Sequence, residues 1–326
     1  MFVHSSAFLT LTAFVALLPA VLSSPLSHSE PSDAILLAKR ERALSKLTPG
    51  VQSYLRSLDP SEYELDLEDD AESFDEADEH GVIHLKRQQD GTSGAWNNCK
   101  NGQVAVTYDD GPYDFRGELL SEWAADGHML TFFQNGYNFG CGYDAKYVKL
   151  GRQALNAGHL IAGHSWSHYN FSQPGTTHEV IDRQIDLLDT QLLKTLGVVP
   201  RYFRFPYGAF APETAQYLRS KYGLRVIQWS EDSGDSSGAT AAQSIAVYKP
   251  FQKGESHIIL NHETHKTSVE EVAPAVIRSF KKKGIKSVTA AQCIGATKSP
   301  YKVRMNPQKR DSTWTCSNKP LPGQAS

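Results

Sequence analysis

The sequence predicts an α/β fold, a distorted (β/α) barrel with about seven parallel strands within residues 88–297. Short runs rich in β-branched and aromatic residues alternate with longer amphipathic runs, the order of elements in a parallel sheet covered by helices. Polar side chains suited to chemistry follow five of the predicted strands. In a barrel the carboxyl ends of all strands lie on one face, so these side chains would meet there. A doubly wound open sheet also gathers strand ends and is the alternative.

The alternation defines each element in turn. The predicted strands cover residues 103–108, 130–133, 159–162, 202–205, 225–229, 257–260 and 285–288. The predicted helices cover residues 116–125, 144–157, 177–196, 212–222, 239–251 and 269–283. The helix at 177–196 is the clearest, because its apolar residues recur on one face at helical spacing. No internal sequence repeat is visible.

Residues 1–24 have the features of a secretory signal peptide. An apolar run without charged residues, 7–21, precedes the small residues Ser23-Ser24. A membrane anchor is the alternative, but the run falls short of the roughly 20 residues that span a bilayer. No second run of that length occurs, and the polar C-terminal extension, residues 298–326, lacks the hydrophobic tail of a lipid-anchor signal. We therefore expect a secreted monomer, extracellular or in the cell wall, without a membrane partner.

Charge is distributed unevenly along the chain. Residues 1–87 contain 7 Lys and Arg against 15 Asp and Glu, whereas the remaining residues have a net charge of +5. The acidic block 62–79 cannot bury enough apolar surface to fold, so residues 25–87 are predicted to be a disordered pro-segment. The dibasic pair Lys86-Arg87 follows this block and is a candidate processing site. The positive excess beyond it is too small to indicate nucleic-acid binding.

The cysteines and one sequon fit a secretory, oxidising compartment. None of the four cysteines belongs to the close pair of a zinc ribbon or redox motif, so disulfides are expected. Three pairings are open. Cys99 with Cys293 is favoured because these two flank the body of the domain, and Cys141 would then pair with Cys316. The sequon Asn170-Phe171-Ser172 is a glycosylation acceptor.

Two motifs at predicted strand ends contain residues that bind metals. Asp109 and Asp110 follow an apolar strand, and a sharp turn at Gly111-Pro112 would let both face one site. His164 and His168 are four residues apart, a spacing that places two imidazoles on one face of a helical turn. A solvated turn and a surface helix are the alternatives. Together, one aspartate and two histidines make a three-ligand set that leaves a position for water, as in catalytic zinc sites.

The general base must come from outside the histidine motif. Ser165 stands where the metalloprotease motif HExxH has its glutamate, so the second carboxylate of the aspartate pair is the candidate base. Further polar side chains follow later strands, namely Arg204 with Tyr207, Asp232 with Asp235, and His262. Asp232 is interpreted as a turn or cap residue.

With these residues in order, the sequence resembles the polysaccharide deacetylases of the NodB-homology type (carbohydrate esterase family 4), most closely the fungal chitin deacetylases. The likeness covers about residues 99–295. Four of the family's motifs are met in order, by Thr107–Gly111, His164–His168, Arg204–Gly208 and Leu260–His262. The remaining motif, D-x-x-D-W, is met in part, because Ser236 follows Asp235 where the family has a tryptophan that lines the acetyl pocket.

The resemblance implies a ligand set and a base. Asp110, His164 and His168 would hold a divalent cation, most simply zinc, with cobalt as an alternative. Asp109 would act as general base on the attacking water. Arg204 would pair with Asp109, keeping it ionised and oriented.

The resemblance also implies the remaining roles. His262 would protonate the departing sugar nitrogen as general acid, and Asp235 would favour its cationic form. The backbone N–H of Tyr207 would stabilise the oxyanion, and Leu260 would contact the acetyl methyl group.

The implied activity is that of a chitin deacetylase, a hydrolase of linear amide bonds. The substrate would be the N-acetylglucosamine units of chitin or its oligomers, and the products chitosan and acetate. An acetylxylan esterase and a peptidoglycan deacetylase share the architecture and are alternatives. A catalytically weakened chitin-binding protein is supported only by Ser236. An iron oxygenase is disfavoured because no cosubstrate site is apparent.

Overall fold

A computed structural model of the protein describes residues 33–67, 94–124 and 126–325. The predicted signal peptide, residues 1–24, lies outside the described residues, as does Lys86-Arg87. Among the helices in the described ranges, none combines the length and apolarity needed to cross a bilayer.

The described strands and helices alternate over most of the chain. The strands are β1 (Tyr63–Leu65), β2 (Ala95–Trp96), β3 (Val104–Asp109), β4 (Leu130–Gln134), β5 (Leu160–Gly163), β6 (Val198–Pro200), β7 (Tyr202–Phe203), β8 (Arg225–Ile227), β9 (Glu231–Asp232), β10 (His257–His262) and β11 (Tyr301–Met305). The helices are α1 (Asp33–Ser45), α2 (Pro49–Arg56), α3 (Arg116–Ala124), α4 (Ala145–Asn156), α5 (His178–Leu196), α6 (Pro212–Tyr222), α7 (Ala241–Tyr248), α8 (Ala273–Lys283) and α9 (Ala290–Cys293).

Eight parallel strands form a curled sheet in the order β2-β8-β7-β5-β4-β3-β10-β9. Strand β8 lies near one edge of the sheet, and β9 forms the opposite edge, beside β10. Only residues 228–230 separate β8 from β9 along the chain. Within this connection Gln228 N–H donates to Trp96 O and Ser230 N–H donates to Ile258 O. The chain itself therefore joins the two sides, and the predicted distorted barrel is confirmed over the open doubly wound sheet.

The core lies inside the barrel and between its strands and helices. Strand β3 is buried along its whole length, as expected for a parallel strand covered on both faces. On the helical side, Trp123 of α3 packs edge-on against Phe280 of α8. Helix α5 begins where the Thr177 side chain accepts the Val180 N–H and ends at Gly197 in the left-handed conformation, in agreement with its predicted range.

One predicted strand was wrong. Residues 285–288 form only an isolated bridge between Val104 and Ser287. Two backbone hydrogen bonds remain, from Val288 N–H to Val104 O and from Met129 N–H to Ser287 O. Side chains supply others, since Ser287 Oγ accepts the Val106 N–H and Ser287 N–H donates to His128 Nδ1. Each of β2 and β9, which were not predicted, has only two residues and is too short for an alternating pattern.

The prediction of disorder for residues 25–87 was wrong for residues 33–67. Strand β1 pairs antiparallel with β11, which pairs with β6, in a three-stranded sheet beside the barrel. Helices α1 and α2 and the turn between them supply apolar side chains that pack against α5 and this sheet, namely Leu44, Leu47, Val51 and Leu55. An ion pair joins the partly buried Asp66 to the buried Arg201. The acidic composition was a poor guide because these apolar residues precede the acidic block.

The C-terminal extension is part of the fold, because it contains β11. Both disulfides favoured from the sequence are present: Cys99 is bonded to Cys293 and Cys141 to Cys316. The first lies beside the amino end of β10, where Cys99 Sγ contacts His257 O. The second lies on the opposite face, in the loop after β4.

Packing of the N-terminal segment predicts a stability effect. Leu55→Ala removes a fully buried side chain and is expected to lower the free energy of unfolding by about 2–5 kcal/mol. The matched control is Leu37→Ala on α1, whose side chain is 60% exposed; its effect should stay within about 0.5 kcal/mol. Denaturant unfolding of the two variants measures the difference. Equal, small effects would mean that residues 33–67 do not pack on the barrel.

Candidate active site

The carboxyl ends of β3, β5 and β10 bring the predicted chemical residues together. Asp109 is the last residue of β3, and in the parallel register it lies beside His262, the last residue of β10. His164 directly follows β5. These residues are far apart in the sequence, and only the parallel arrangement of the strands brings them close.

Both carboxylates of the aspartate pair face this site, as the predicted turn requires. Asp110 adopts a left-handed conformation with φ of 71°. Asp109 Oδ2 lies 3.7 Å and Asp110 Oδ1 lies 3.4 Å from the same atom, His164 Nε2. The next residue, Gly111, passes so close to Glu263 that a Cβ atom there would lie 1.3 Å from Glu263 Oε1. Only glycine fits this position.

The two histidines meet through a different local structure from the helical turn considered in the sequence. The segment 164–168 is not helical. Left-handed conformations at Ser165 and His168, with φ of 67° and 57°, turn the chain so that the two imidazole rings are 5.1 Å apart. His168 Nε2 lies 3.0 Å from Asp110 Oδ1.

Asp110, His164 and His168 can together hold a metal ion. Their ligand atoms all lie within 4.8 Å of one another. His164 Nδ1 lies 2.8 Å from the carbonyl oxygen of Arg204, which can only accept, so Nδ1 carries a proton; in the neutral imidazole, Nε2 then presents a lone pair to the site. A lone pair facing a carboxylate oxygen is repulsive unless a cation lies between them. The donor set therefore fits a divalent cation.

The charge of Asp110 agrees with this fit. Burial raises the pKa of Asp110, but without a metal the hydrogen bonds and charges of protonated His164 and His168 outweigh burial and hold the pKa well below its ordinary value. The group is therefore a carboxylate, the form that binds metals.

Asp109 is held by a buried arginine, the ion pair that the sequence analysis expected. Arg204 Nη1 donates to Asp109 Oδ1 at 2.7 Å, and neither side chain is more than 3% exposed. The same guanidinium donates to Thr107 Oγ1, Ile227 O and Gln228 O, and it lies over the ring of Phe133. Arg204 thus fixes the orientation of Asp109 and supplies its counter-charge.

His262 and Asp235 form a second buried pair. Asp235 Oδ1 lies 2.7 Å from His262 Nδ1, while Asp235 Oδ2 accepts the backbone N–H of His262 and the hydroxyl of Ser268. Burial lowers the pKa of His262, but the hydrogen bond and charge of Asp235 outweigh burial and raise it to about 9. His262 is therefore a cation near neutral pH, with its proton-bearing Nε2 available to a ligand.

The remaining predicted residues surround this centre. Tyr207 has a left-handed backbone with φ of 60°, is 64% exposed, and its ring lies 4.5 Å from the His168 ring. Leu260 is buried on β10 beside Asp232. Asp232 accepts the Gly234 N–H, which agrees with its interpretation as a turn residue. Ser236 is exposed next to Asp235.

A buried ion pair beneath the aspartate turn was missed. Arg116 donates two hydrogen bonds to Glu263 and one to Gln134. The side chains of Arg116 and Glu263 are both fully buried. Glu263 Oε1 also accepts the Tyr113 N–H, so the pair holds both sides of the turn. The position of Glu263 directly after His262, at a strand end, was the available signal.

Two other residues near the site were also missed. Asn135 donates to the carbonyl oxygens of His164 and Ser165 and so supports the histidine segment. The ring of Trp229 lies 5.5 Å from the Arg204 guanidinium. It also lies so close to Gly208 that a Cβ atom on Gly208 would be 2.5 Å from the ring. In the sequence, Trp229 is only the last residue of a predicted strand.

The sequon residue Asn170 is half-buried, and its side-chain oxygen accepts the Ser172 N–H. Glycosylation of Asn170 stays a prediction.

The barrel and the cluster at its strand ends place this protein among α/β-barrel proteins with a candidate Asp-His-His metal site. Residues 97–227 match the family model described as polysaccharide deacetylase. This chain is similar to the solved structure of the chitin deacetylase from Colletotrichum lindemuthianum, with a TM-score of 0.59 and 26% sequence identity. The similarity covers 64% of this chain and 95% of that chain. The chain is therefore similar over residues 97–227 to the polysaccharide deacetylases, the family that its motifs resemble.

Curated relatives agree with this similarity. A chitin deacetylase of Arthroderma benhamiae is 33% identical over 204 residues, which cover 61% of this chain and 54% of that protein. A probable peptidoglycan-N-acetylglucosamine deacetylase of the same fungus is 33% identical over 198 residues, which cover 60% of this chain and 44% of that protein. The chain thus spans about half the length of these two curated relatives.

Proposed function

We propose that the protein is a metal-dependent deacetylase that hydrolyses the N-acetyl groups of N-acetylglucosamine units in chitin or its oligomers. The products would be chitosan and acetate. The observation that carries the proposal is the Asp-His-His cluster, with an ion-paired aspartate on one strand and a charged histidine on the next. The similarity to proteins named chitin deacetylase supports the same substrate class.

Asp110, His164 and His168 would hold the cation. One carboxylate and two imidazoles suit Zn²⁺, and Co²⁺ accepts the same donors. When bound, the cation would lower the pKa of a water molecule and polarise the acetyl carbonyl group.

Asp109 would accept the proton of the attacking water. Its Oδ1 is occupied by Arg204, so Oδ2, which faces the histidine cluster, is the atom available for the proton. Arg204 holds this carboxylate in place and prevents it from turning away. The backbone N–H of Tyr207 would donate to the developing oxyanion, and buried Leu260 would contact the acetyl methyl group.

His262 would donate a proton to the sugar nitrogen as the C–N bond breaks. An amine is a poor leaving group unless it is protonated, whereas an ester alkoxide needs less assistance. The buried Asp235 partner keeps His262 protonated at neutral pH, a feature that favours amide over ester substrates. This favours a deacetylase of amino sugars over an acetylxylan esterase.

The pH dependence of the rate tests the role of His262. A general acid acts in its protonated form, so kcat/KM should fall as the pH rises through about 9. Asp235→Asn removes the charge that raises the pKa of His262, so the alkaline limb should move toward the ordinary histidine value near 6.5. Asp232→Asn, a change at an exposed turn residue, is the control and should leave the limb in place. An alkaline limb that does not move in Asp235→Asn would exclude His262 as the acid.

The surface around the cluster suits a sugar polymer. Tyr207 and Phe139 are exposed aromatic residues, and Phe139 packs edge-on against Tyr113, which follows the aspartate turn. Aromatic rings exposed beside a polar site can stack on pyranose rings. The two disulfides support the proposal that the protein acts outside the cell or in the cell wall. That it is a monomer stays a prediction.

The experiment is acetate release from four substrates, namely chitin oligomers, colloidal chitin, peptidoglycan and acetylxylan. We expect release from the chitin substrates, its loss with a chelator, and its recovery with Zn²⁺ or Co²⁺. Faster release from peptidoglycan would favour the second candidate, which the probable peptidoglycan deacetylase of Arthroderma benhamiae supports. No release from any substrate, with metal bound, would leave only a binding protein.

A further inference from the structure

The segment that carries both histidine ligands adopts a conformation that it cannot hold by itself. Ser165 and His168 both have left-handed backbones, which cost free energy in residues other than glycine. Such conformations persist only where surrounding contacts determine them. The contacts around residues 164–168 are therefore part of the site.

Residues 320–324 supply several of these contacts. Trp166 Nε1 donates to Pro320 O at 3.0 Å. Ser167, which is fully buried, accepts at its carbonyl oxygen from the Gly323 N–H and donates its hydroxyl to Gln324 O at 2.6 Å. Thus two consecutive residues between the histidines are hydrogen-bonded to a segment more than 150 residues away in sequence.

A buried glutamine on α5 completes the connection. Gln184 Oε1 accepts the Ser167 N–H at 2.9 Å, and its Nε2 donates to Ser167 Oγ and to Gln324 O. Gln184 has no exposed surface, so its amide is committed to these partners. The histidine segment, α5 and residues 320–324 form one hydrogen-bonded unit.

Residues 314–319 fasten this segment to the barrel. Cys316 is bonded to Cys141 in the loop after β4. Trp314 packs against Tyr143, which in turn packs against Trp166. Lys319 lies over the ring of Tyr143. The covalent and aromatic contacts thus hold the polar contacts of residues 320–324 in place.

We propose that residues 314–325, here called the C-terminal brace, are a positioning element that holds His164 and His168 in the geometry that binds the cation. This inference rests on the proposed metal site. The brace touches no ligand atom, so it acts through Trp166 and Ser167. Groups that orient metal ligands in this way contribute about 10–100-fold to metal affinity.

Two substitutions test the brace, with zinc affinity measured by chelator competition as the readout. Gly323→Pro removes the N–H that Ser167 accepts, and proline cannot adopt the φ of 77° found there. Ser167→Ala is a milder change that removes one hydroxyl. Each should weaken zinc binding by about 10-fold or more. Gly254→Pro is the matched control, because Gly254 has a φ of 93° near the amino end of β10, away from the cluster.

The outcomes distinguish a failure of the proposed brace from a failure of the proposed metal site. Weaker zinc binding in Gly323→Pro and Ser167→Ala, with wild-type affinity in Gly254→Pro, supports the brace even where all three lower the melting temperature. Wild-type affinity in folded Gly323→Pro and Ser167→Ala overturns the brace and leaves the proposed function standing. A wild-type protein that binds no zinc overturns the proposed function itself, and the brace with it.

The disulfide gives an independent measurement. Replacing Cys141 and Cys316 together by alanine should weaken zinc binding, because the brace loses its covalent attachment. Replacing Cys99 and Cys293 together removes a disulfide from the opposite face and should leave zinc affinity unchanged. Equal affinities in the two double variants would contradict the proposed role of the Cys141–Cys316 bond.

Discussion

His164→Ala is expected to remove the bound metal and to lower acetate release by about 10³-fold or more, since a bound cation contributes several kcal/mol to such hydrolysis. His164 is the residue whose Nε2 lies within 4 Å of both aspartates, and its Nδ1 is fixed by Arg204 O. Alanine leaves only Asp110 and His168, and two ligands hold zinc weakly. Metal content and acetate release, measured on the same sample, test both effects.

The control for this variant is a histidine outside the site. His178 is exposed at the start of α5 and stacks on Tyr217, so His178→Ala should keep both metal and activity. An active His164→Ala protein, or one that retains a full equivalent of zinc, would show that the cation binds elsewhere.

Asp109→Asn should give the opposite combination, a protein that keeps its metal and loses its rate. The amide is nearly isosteric but cannot accept the proton, so turnover should fall by about 10²–10⁴-fold, the scale of general acid–base catalysis. The change also leaves the Arg204 charge buried without its counter-ion, so stability should fall as well, by about 3–5 kcal/mol if the charge stays unpaired. Steady-state kinetics, zinc content and thermal unfolding separate the three effects.

Asp232→Asn is the comparison for this second prediction, because Asp232 is an exposed carboxylate at another strand end. Its turnover should stay near that of the wild type. A wild-type rate in Asp109→Asn would exclude Asp109 as the base, and loss of zinc there would make it a ligand instead.

The barrel and most of its elements could be predicted because apolar runs of sufficient length alternate along the chain. Residues 104–109 are buried on both faces and read as a strand from sequence alone. Residues 285–288 also contain β-branched residues, yet Ser287 and His128 supply hydrogen bonds there through side chains. Such tertiary substitutions leave no periodic signal in the sequence.

The N-terminal segment was misjudged for a physical reason. Disorder was inferred from net charge averaged over residues 25–87, whereas folding depends on the local pattern of apolar residues. Leu44, Leu47, Val51 and Leu55 have a partner surface on α5 and β11. Composition cannot reveal a partner surface that is formed by distant residues.

The sequence predicted those parts of the candidate site in which the chemistry allows few residue types. Adjacent aspartates and paired histidines at strand ends together indicated a metal site, and the resemblance to polysaccharide deacetylases implied the role of each residue. Supporting residues such as Gln184 and Glu263 could not be found in this way, because a buried amide or carboxylate is recognised only by its partners. The same holds for the C-terminal brace, whose polar composition indicated only an extension.

The most direct test of the account is anomalous diffraction at the zinc absorption edge from crystals of the protein grown with Zn²⁺. The account predicts one peak bonded to Asp110 Oδ1, His164 Nε2 and His168 Nε2, with Asp109 and His262 close by but unbound. A peak at another place, or three side chains that face apart with no peak between them, would contradict it.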